Sequence, residues 1–364
     1  MVQLKKTLTF SALLCLMGTG NINGQSNPSN ATDWTQDLAK RVEIDAYAQG
    51  GFVYEHTDGR DNNTFEMKRA IMTVAVPISD RWFGFFMHDF SSVVQEYYAT
   101  YRVTNNKAFN VKLGQFKNAL SYENSQSPTG MEAIDVYAEG VTYLTGCGSD
   151  RLMGTQYGRD LGLAIFGQSN DGKLKYELNV MNGQGVNKKD LNNEKDFIGK
   201  LEYSPVEGLN FIASGQIGRG HAVEHSVYNP TIAVGENYKR NRWTAGFSYN
   251  SAPIKLHGEY VEGQDGDVTS RGAYLTTTIP VAPKWDVVGS YDFFNFNTDE
   301  HMDQHKFIVG LQYWIYKRCR FQMQYVYKSA SLQNSYDALG NLAGKEFRHG
   351  ANHAIMAQIQ VRLK

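Results

Sequence analysis

Apolar and polar side chains alternate along most of the chain, in units of about ten residues separated by turn-forming residues. The pattern is clearest at the end, where Ile355, Ala357, Ile359, Val361 and Leu363 fall on one face. Met356, Gln358, Gln360, Arg362 and Lys364 fall on the other. The unit before it sets Cys319, Phe321, Met323, Tyr325 and Tyr327 against Arg320, Gln322, Gln324, Val326 and Lys328. Successive side chains of a strand point to opposite faces, so each unit predicts a strand with one apolar and one wet face. Ile359 and Val361 are thus expected to meet lipid, Gln358 and Gln360 water. Sixteen strands are predicted, beginning near Val42, Phe65, Trp82, Gln95, Ala108, Arg159, Lys173, Asp196, Leu209, Arg242, Ile254, Ser270, Trp285, Lys306, Cys319 and Asn352. The stretches MTVAV and WFGFF in the second and third are apolar on both faces, which leaves their orientation open.

The connections add a second periodicity. Short ones are Ser79–Asp80, Thr104–Lys107, Ser169–Gly172, Pro205–Gly208, Ala252–Pro253, Val281–Lys284 and Lys317–Arg318. Between them lie mostly longer links, notably Asn118–Gly158, Gly185–Lys195, Arg219–Asn241 and Ser331–Gly350. Short turns at one end and long loops at the other mark a transmembrane barrel, turns periplasmic and loops outside. The fold class is therefore all-β, a transmembrane antiparallel β-barrel of sixteen strands. Asn118–Gly158, the third outer loop, is long enough to carry function and is expected to fold inward and narrow the lumen. Tyr54, Tyr97, Trp243, Trp285 and Tyr313, at strand ends, fit aromatic girdles at the two membrane interfaces. A propeller would need a blade repeat of about 40–50 residues, and none is present.

The first residues follow a different logic. Lys5 and Lys6 precede the apolar stretch Thr7–Met17, which is shorter than the roughly 20 residues of a spanning helix. Small and polar residues follow it, so residues 1–24 read as a secretory signal peptide cut between Gly24 and Gln25. Residues 25–40 form an N-terminal periplasmic segment and residues 41–364 the outer-membrane barrel. Without Lys5 and Lys6 the chain carries 34 basic and 37 acidic residues. That balance excludes the basic excess of a nucleic-acid binder. Cys147 and Cys319 remain, at opposite ends of the expected barrel and therefore as free thiols.

Candidate chemistry is sparse. His221/His225, His301/His305 and His349/His353 share a His-x-x-x-His spacing that chelates metal on a helix, but they fall in or beside outer loops without helical periodicity. His88 and Asp89 are adjacent and so face opposite sides of a strand, and His257 has no evident nucleophile near it in sequence. Neither an enzyme nor a cofactor or metal is predicted. On the wet faces the bases Lys112, Lys175, Lys200, Arg242, Lys255, Arg271, Lys306, Arg320, Lys328 and Arg362 are nearly matched by acids. These are Glu43, Asp45, Glu96, Asp160, Glu177, Glu202, Glu259, Asp286 and Asp292. The function this predicts is passive diffusion of small polar solutes or ions; the alternative is a structural or adhesive barrel with a plugged lumen.

Several stretches resemble the phosphate-selective porin O and P family, in the forms of the Bacteroides-type lineage. They are Leu113–Lys117 (LGQFK), Phe65–Ala70 (FEMKRA), the Arg159-Asp160 pair opening RDLGLAIFG, and Val180–Asn187 (VMNGQGVN). The resemblance implies a homotrimeric sixteen-stranded porin in the outer membrane, constricted by inward-folded loops and lined with Arg and Lys for anions such as phosphate. Lys68, Arg69 and Lys117 match its basic positions, and Arg151 sits where a constriction arginine would stand. With Lys112, Arg242 and Lys255 from the wall, these form the expected pore-lining set. The near balance of acids and bases departs from a basic ladder.

Overall fold

The computed structural model describes residues 40–57, 59–147, 152–336 and 341–363. The predicted leader, most of the segment after it, and Arg151 lie outside the described residues. The first half of the barrel wall is β1 (Glu43–Thr57), β2 (Arg60–Pro77), β3 (Trp82–Asp89), β4 (Val94–Arg102), β5 (Asn110–Lys117), β6 (Arg159–Gln168), β7 (Leu174–Met181) and β8 (Asp196–Val206). The second half is β9 (Leu209–His221), β10 (Asn237–Ser251), β11 (Ile254–Asp265), β12 (Val268–Ala282), β13 (Trp285–Asn295), β14 (Asp303–Tyr316), β15 (Cys319–Tyr336) and β16 (Leu342–Arg362). Each pairs antiparallel with the next, and β1 closes on β16 through pairs such as Ala48 with Val361 and Tyr54 with Ile355. Closure leaves no strand edge unpaired. No helix among the described residues is long and apolar enough to cross a membrane.

Alternation in sequence becomes alternation in burial. Along β12, Ser270, Gly272, Tyr274, Thr276 and Thr278 are buried, while Arg271, Ala273, Leu275 and Ile279 are exposed. Leu311, Met323, Ile359 and Val361 likewise point outward. Tyr97, Trp243 and Trp285 lie exposed on that face, and Trp285 packs on Tyr313 with ring centroids 4.8 Å apart. In the doubly apolar third strand, Trp82 and Phe86 are exposed and Phe85 stacks on Tyr98.

Four expectations need correction. Arg271 faces outward with Leu275 and Ile279, because the other face of that strand is the buried one. Gln358 and Gln360 are on the inner face, yet they are 3% and 0% exposed, because the long connection described below covers them. The region 331–350 is not one long loop: β15 and β16 pair as far as Tyr336 with Leu342. His305, His349 and His353 consequently stand on strands rather than in loops. Similarly, β1 and β2 run out to Thr57 and Arg60, which makes the first connection a tight turn. A bulge at Gln49/Gly50 inserts Lys68 as an extra residue in β2. Such an insertion resets the alternation.

Candidate functional site

The connection 118–158 leaves β5 and returns to β6 with two short helices, α1 (Tyr122–Ser125) and α2 (Glu139–Leu144). Its polar groups bond to side chains on the buried face of distant strands. Gln322 and Gln324 both donate to the Glu132 carbonyl, at 2.9 and 2.7 Å, and the Ile134 N–H donates to Gln324 at 2.9 Å. Gln360 donates to the Thr129 carbonyl and Gln49 to that of Pro128, both at 3.3 Å. Arg320 donates to the Met131 carbonyl. A buried amide or carbonyl left without a partner costs about 1–3 kcal/mol, so these pairings specify the path of the connection.

Around α1 the contacts are ionic. Ser121, at a φ of 72°, donates its hydroxyl to Glu259 at 2.7 Å, and the Tyr122 N–H donates to the same carboxylate at 3.0 Å. Glu123 accepts from the Ala138 N–H at 2.7 Å and lies 3.3 Å from His257, whose other ring nitrogen is 3.9 Å from Glu132. The serine hydroxyl is thus engaged by a carboxylate and the histidine by two others. The cluster ties α1 to β11. Among the described residues no group of three or more His, Cys, Asp or Glu side chains is arranged to hold a metal. His305 and His353 bond the tyrosine hydroxyls of Tyr291 and Tyr325, at 2.8 and 2.7 Å.

Apolar packing and an ionic latch hold α2. Val141, Tyr143 and Leu144 are buried with Val261, Tyr274 and Phe294 of the wall and with Tyr228 and Phe296. The Glu139 N–H donates to Asp292 at 2.7 Å, and its carboxylate lies 3.1 Å from Lys306 and 2.7 Å from Lys328. Burial pushes the Glu139 carboxyl up. The attraction of Lys306 and then Lys328, with hydrogen bonds from both, outweighs it and brings the group down from 4.5 to about 2. Gly140 marks the closest approach, since a Cβ there would stand 2.5 Å from Val261 Cγ2 and 2.7 Å from the Phe294 ring. Gly140→Val is therefore expected to push α2 off the wall, at about 1–3 kcal/mol of overpacking. Limited proteolysis of the connection should speed up in that variant; an unchanged cleavage rate would contradict this packing.

The predicted pore-lining set divides on inspection. Arg242 is buried, bonded to both oxygens of Asp265 at 2.7 and 2.9 Å and to the Leu144 carbonyl at 3.3 Å, so it anchors the end of α2. Lys68 pairs with Asp135 at 2.8 Å, and Arg69 donates to Gln49 at 3.1 Å. Lys112 pairs with Glu177 at 3.2 Å and stands 4.6 Å from the centroid of the Phe116 ring. Lys117 donates to the Gln126 carbonyl. Lys255 is exposed and, with Arg318, Arg320 and Arg362, lines a cavity of about 340 Å³ bounded by Thr129–Glu132 of the connection. There the Arg320 guanidinium lies 5.3 Å from the centroid of the Trp314 ring. Larger cavities of about 470 and 520 Å³ lie near the short-turn and long-connection ends of the wall. Arg320, Lys306, Lys328, Glu259 and Glu123 were legible as charges on their segments, but not as partners, since each meets a residue more than a hundred positions away.

No protein-family model and no curated protein matches the sequence. Solved structures do match in fold. An anion-selective porin from Comamonas acidovorans superposes with a TM-score of 0.63 at 14% identity, over 88% of this chain and 99% of that one. OmpF of Salmonella typhi, in complex with daunomycin, gives 0.57 at 12% identity, over 88% and 97%. The outer membrane channel DcaP of Acinetobacter baumannii gives 0.54 at 12%, also over 88% and 97%. At these identities the likeness is one of architecture: the chain has the closed sixteen-stranded barrel of the porins.

Proposed function

We propose that this chain is an outer-membrane channel for passive diffusion of small polar solutes, with the 118–158 connection lying in the lumen as its constriction. The observation that carries the reading is the opposition of faces. An unbroken ring of strands exposes Leu275, Val309, Leu311, Met323 and Ile359 outward and keeps its polar side chains inside. An exposed apolar surface extending around a whole barrel fits lipid rather than water. Export by the 1–24 leader and assembly as a homotrimer complete the proposal; one structural neighbour is OmpT, an outer membrane protein of Vibrio cholerae, in its trimer form. The dense bonding of the connection to the wall is what a plugged, structural barrel would also show. Single-channel conductance in a planar bilayer separates the two, and a silent protein would favour the plug.

The finer reading is a preference for anions. Most lumen cations are paired with acids, but Lys255 and Arg318 have no ion-pair partner among the described residues, and Glu132 is the only acid lining their cavity. At physiological salt, charges act over about 8 Å, so those two cations bias any ion crossing a space of that size. The zero-current potential under a salt gradient is expected to show anion preference. Lys255→Glu combined with Arg318→Glu should move it toward cations, and a double variant that behaves like the wild type would remove anion preference from the proposal.

A further inference from the structure

We propose that the outer wall over β6 to β10 carries a binding site for one acyl lipid with an anionic phosphate headgroup; this rests on the membrane reading above. Gly199 of β8 and Gly215 of β9 are direct cross-strand partners. Their missing side chains open a groove of about 560 Å³ between Leu163, Leu178, Phe197 and Ile217, all of which face outward and are exposed. The lining is almost wholly apolar, and its length follows the strands, as an acyl chain in a leaflet does.

What distinguishes this groove from a mere gap between side chains is the charge at one end. Two positions beyond Ile217 toward the long connections stands Arg219, and its direct partner on β10 is Lys239. Two positions beyond Phe197 stands Lys195. All three face outward and are exposed. Arg219 lies 3.3 Å from Glu194 and Lys195 pairs with Asp190, while Lys239 has no ion-pair partner among the described residues. An apolar slot ending under a row of cations fits a chain that ends in phosphate. A neutral headgroup would leave Lys239 uncompensated at the edge of the hydrocarbon, and a soluble phosphate would leave the slot unfilled.

The site can be closed without disturbing the barrel. A Cβ on Gly199 would meet only Leu178 Cδ2, at an ordinary 3.4 Å, so Gly199→Leu fills the groove from outside the ladder. Arg219→Gln with Lys239→Gln removes the headgroup contacts instead. Protein reconstituted in phosphatidylcholine vesicles containing an equal amount of phosphatidylglycerol, extracted in mild detergent and weighed intact, is expected to retain phosphatidylglycerol over phosphatidylcholine. Each variant should lower that retention about tenfold, the value of one charge-assisted hydrogen bond, and added inorganic phosphate should not displace the lipid. Equal retention of the two lipids, displacement by phosphate, or retention unaffected by both variants would overturn the site. Conductance in pure phosphatidylcholine bilayers is read in parallel. A wild type that conducts while failing the lipid test loses only this proposal, whereas a silent wild type loses the channel reading itself.

Discussion

Glu139→Gln is expected to loosen the 118–158 connection and to make the channel both noisier and more conductive. Lys306 and Lys328 are direct partners on β14 and β15, so two ammonium groups stand side by side on the wall. The Glu139 carboxylate bridges them, and Asp292, opposite Lys306, receives the Glu139 N–H. Removing one member of a buried ionic group leaves the others desolvated and uncompensated, at a cost on the order of 3 kcal/mol. The glutamine keeps the shape and the backbone bond but leaves two cations in mutual repulsion beneath α2. The same latch sets a pH dependence. Because the folded carboxyl is held down at about 2 from 4.5, its stabilisation is complete above about 4.5 and is lost as pH falls through about 2. Conductance should stay level from neutral pH down to about 5 and rise between those two values, and the glutamine variant should lack that step. An identical pH profile in both proteins would place the gating charge elsewhere.

Strand positions were legible because a period of two is strong wherever one face is lipid-like and the other polar. Trp82, Arg159, Asp196, Leu209, Ile254, Trp285 and Cys319 begin strands as predicted. The signal fades where the wall extends beyond the apolar band. From Leu342 to Gly350 most side chains are exposed or polar on both faces, so a paired strand there resembles a loop in sequence. Arg271 was misplaced for a related reason: RGAYLTTT has small or hydroxylated residues on either face, and only pairing decides which is inner. The site was legible as a long connection but not as a set of contacts. Glu123 finds His257, and Glu139 finds Lys306, across most of the barrel. Closure of the sheet creates those encounters, and no local spacing encodes them. The near equality of bases and acids on the wall therefore hid its meaning. Several of those charges hold the connection in place rather than face a solute.

Placing a charge on the outer face gives the sharpest test of orientation. Val309 is 61% exposed and stands outward between Phe307 and Leu311. On that face Tyr291 packs on Phe307, ring centroids 4.8 Å apart, toward the long-connection end, and Trp285 packs on Tyr313 at the short-turn end. Val309 lies between these two aromatic levels, where hydrocarbon is deepest, and an arginine there costs about 2–4 kcal/mol of folding into a bilayer. Thr64 supplies the contrast. It is also exposed, but it points into the cavity of about 520 Å³ that holds Lys68 and Asp135, while its neighbour Phe65 points outward at 84% exposure. Thr64→Arg adds a cation to water and is expected to change stability by no more than about 0.5 kcal/mol. Denaturant titration of folding into vesicles measures both. A one-residue slip in register would exchange inner and outer positions along a strand, so equal costs for Val309→Arg and Thr64→Arg would mean that the exposed apolar face is not the one in lipid.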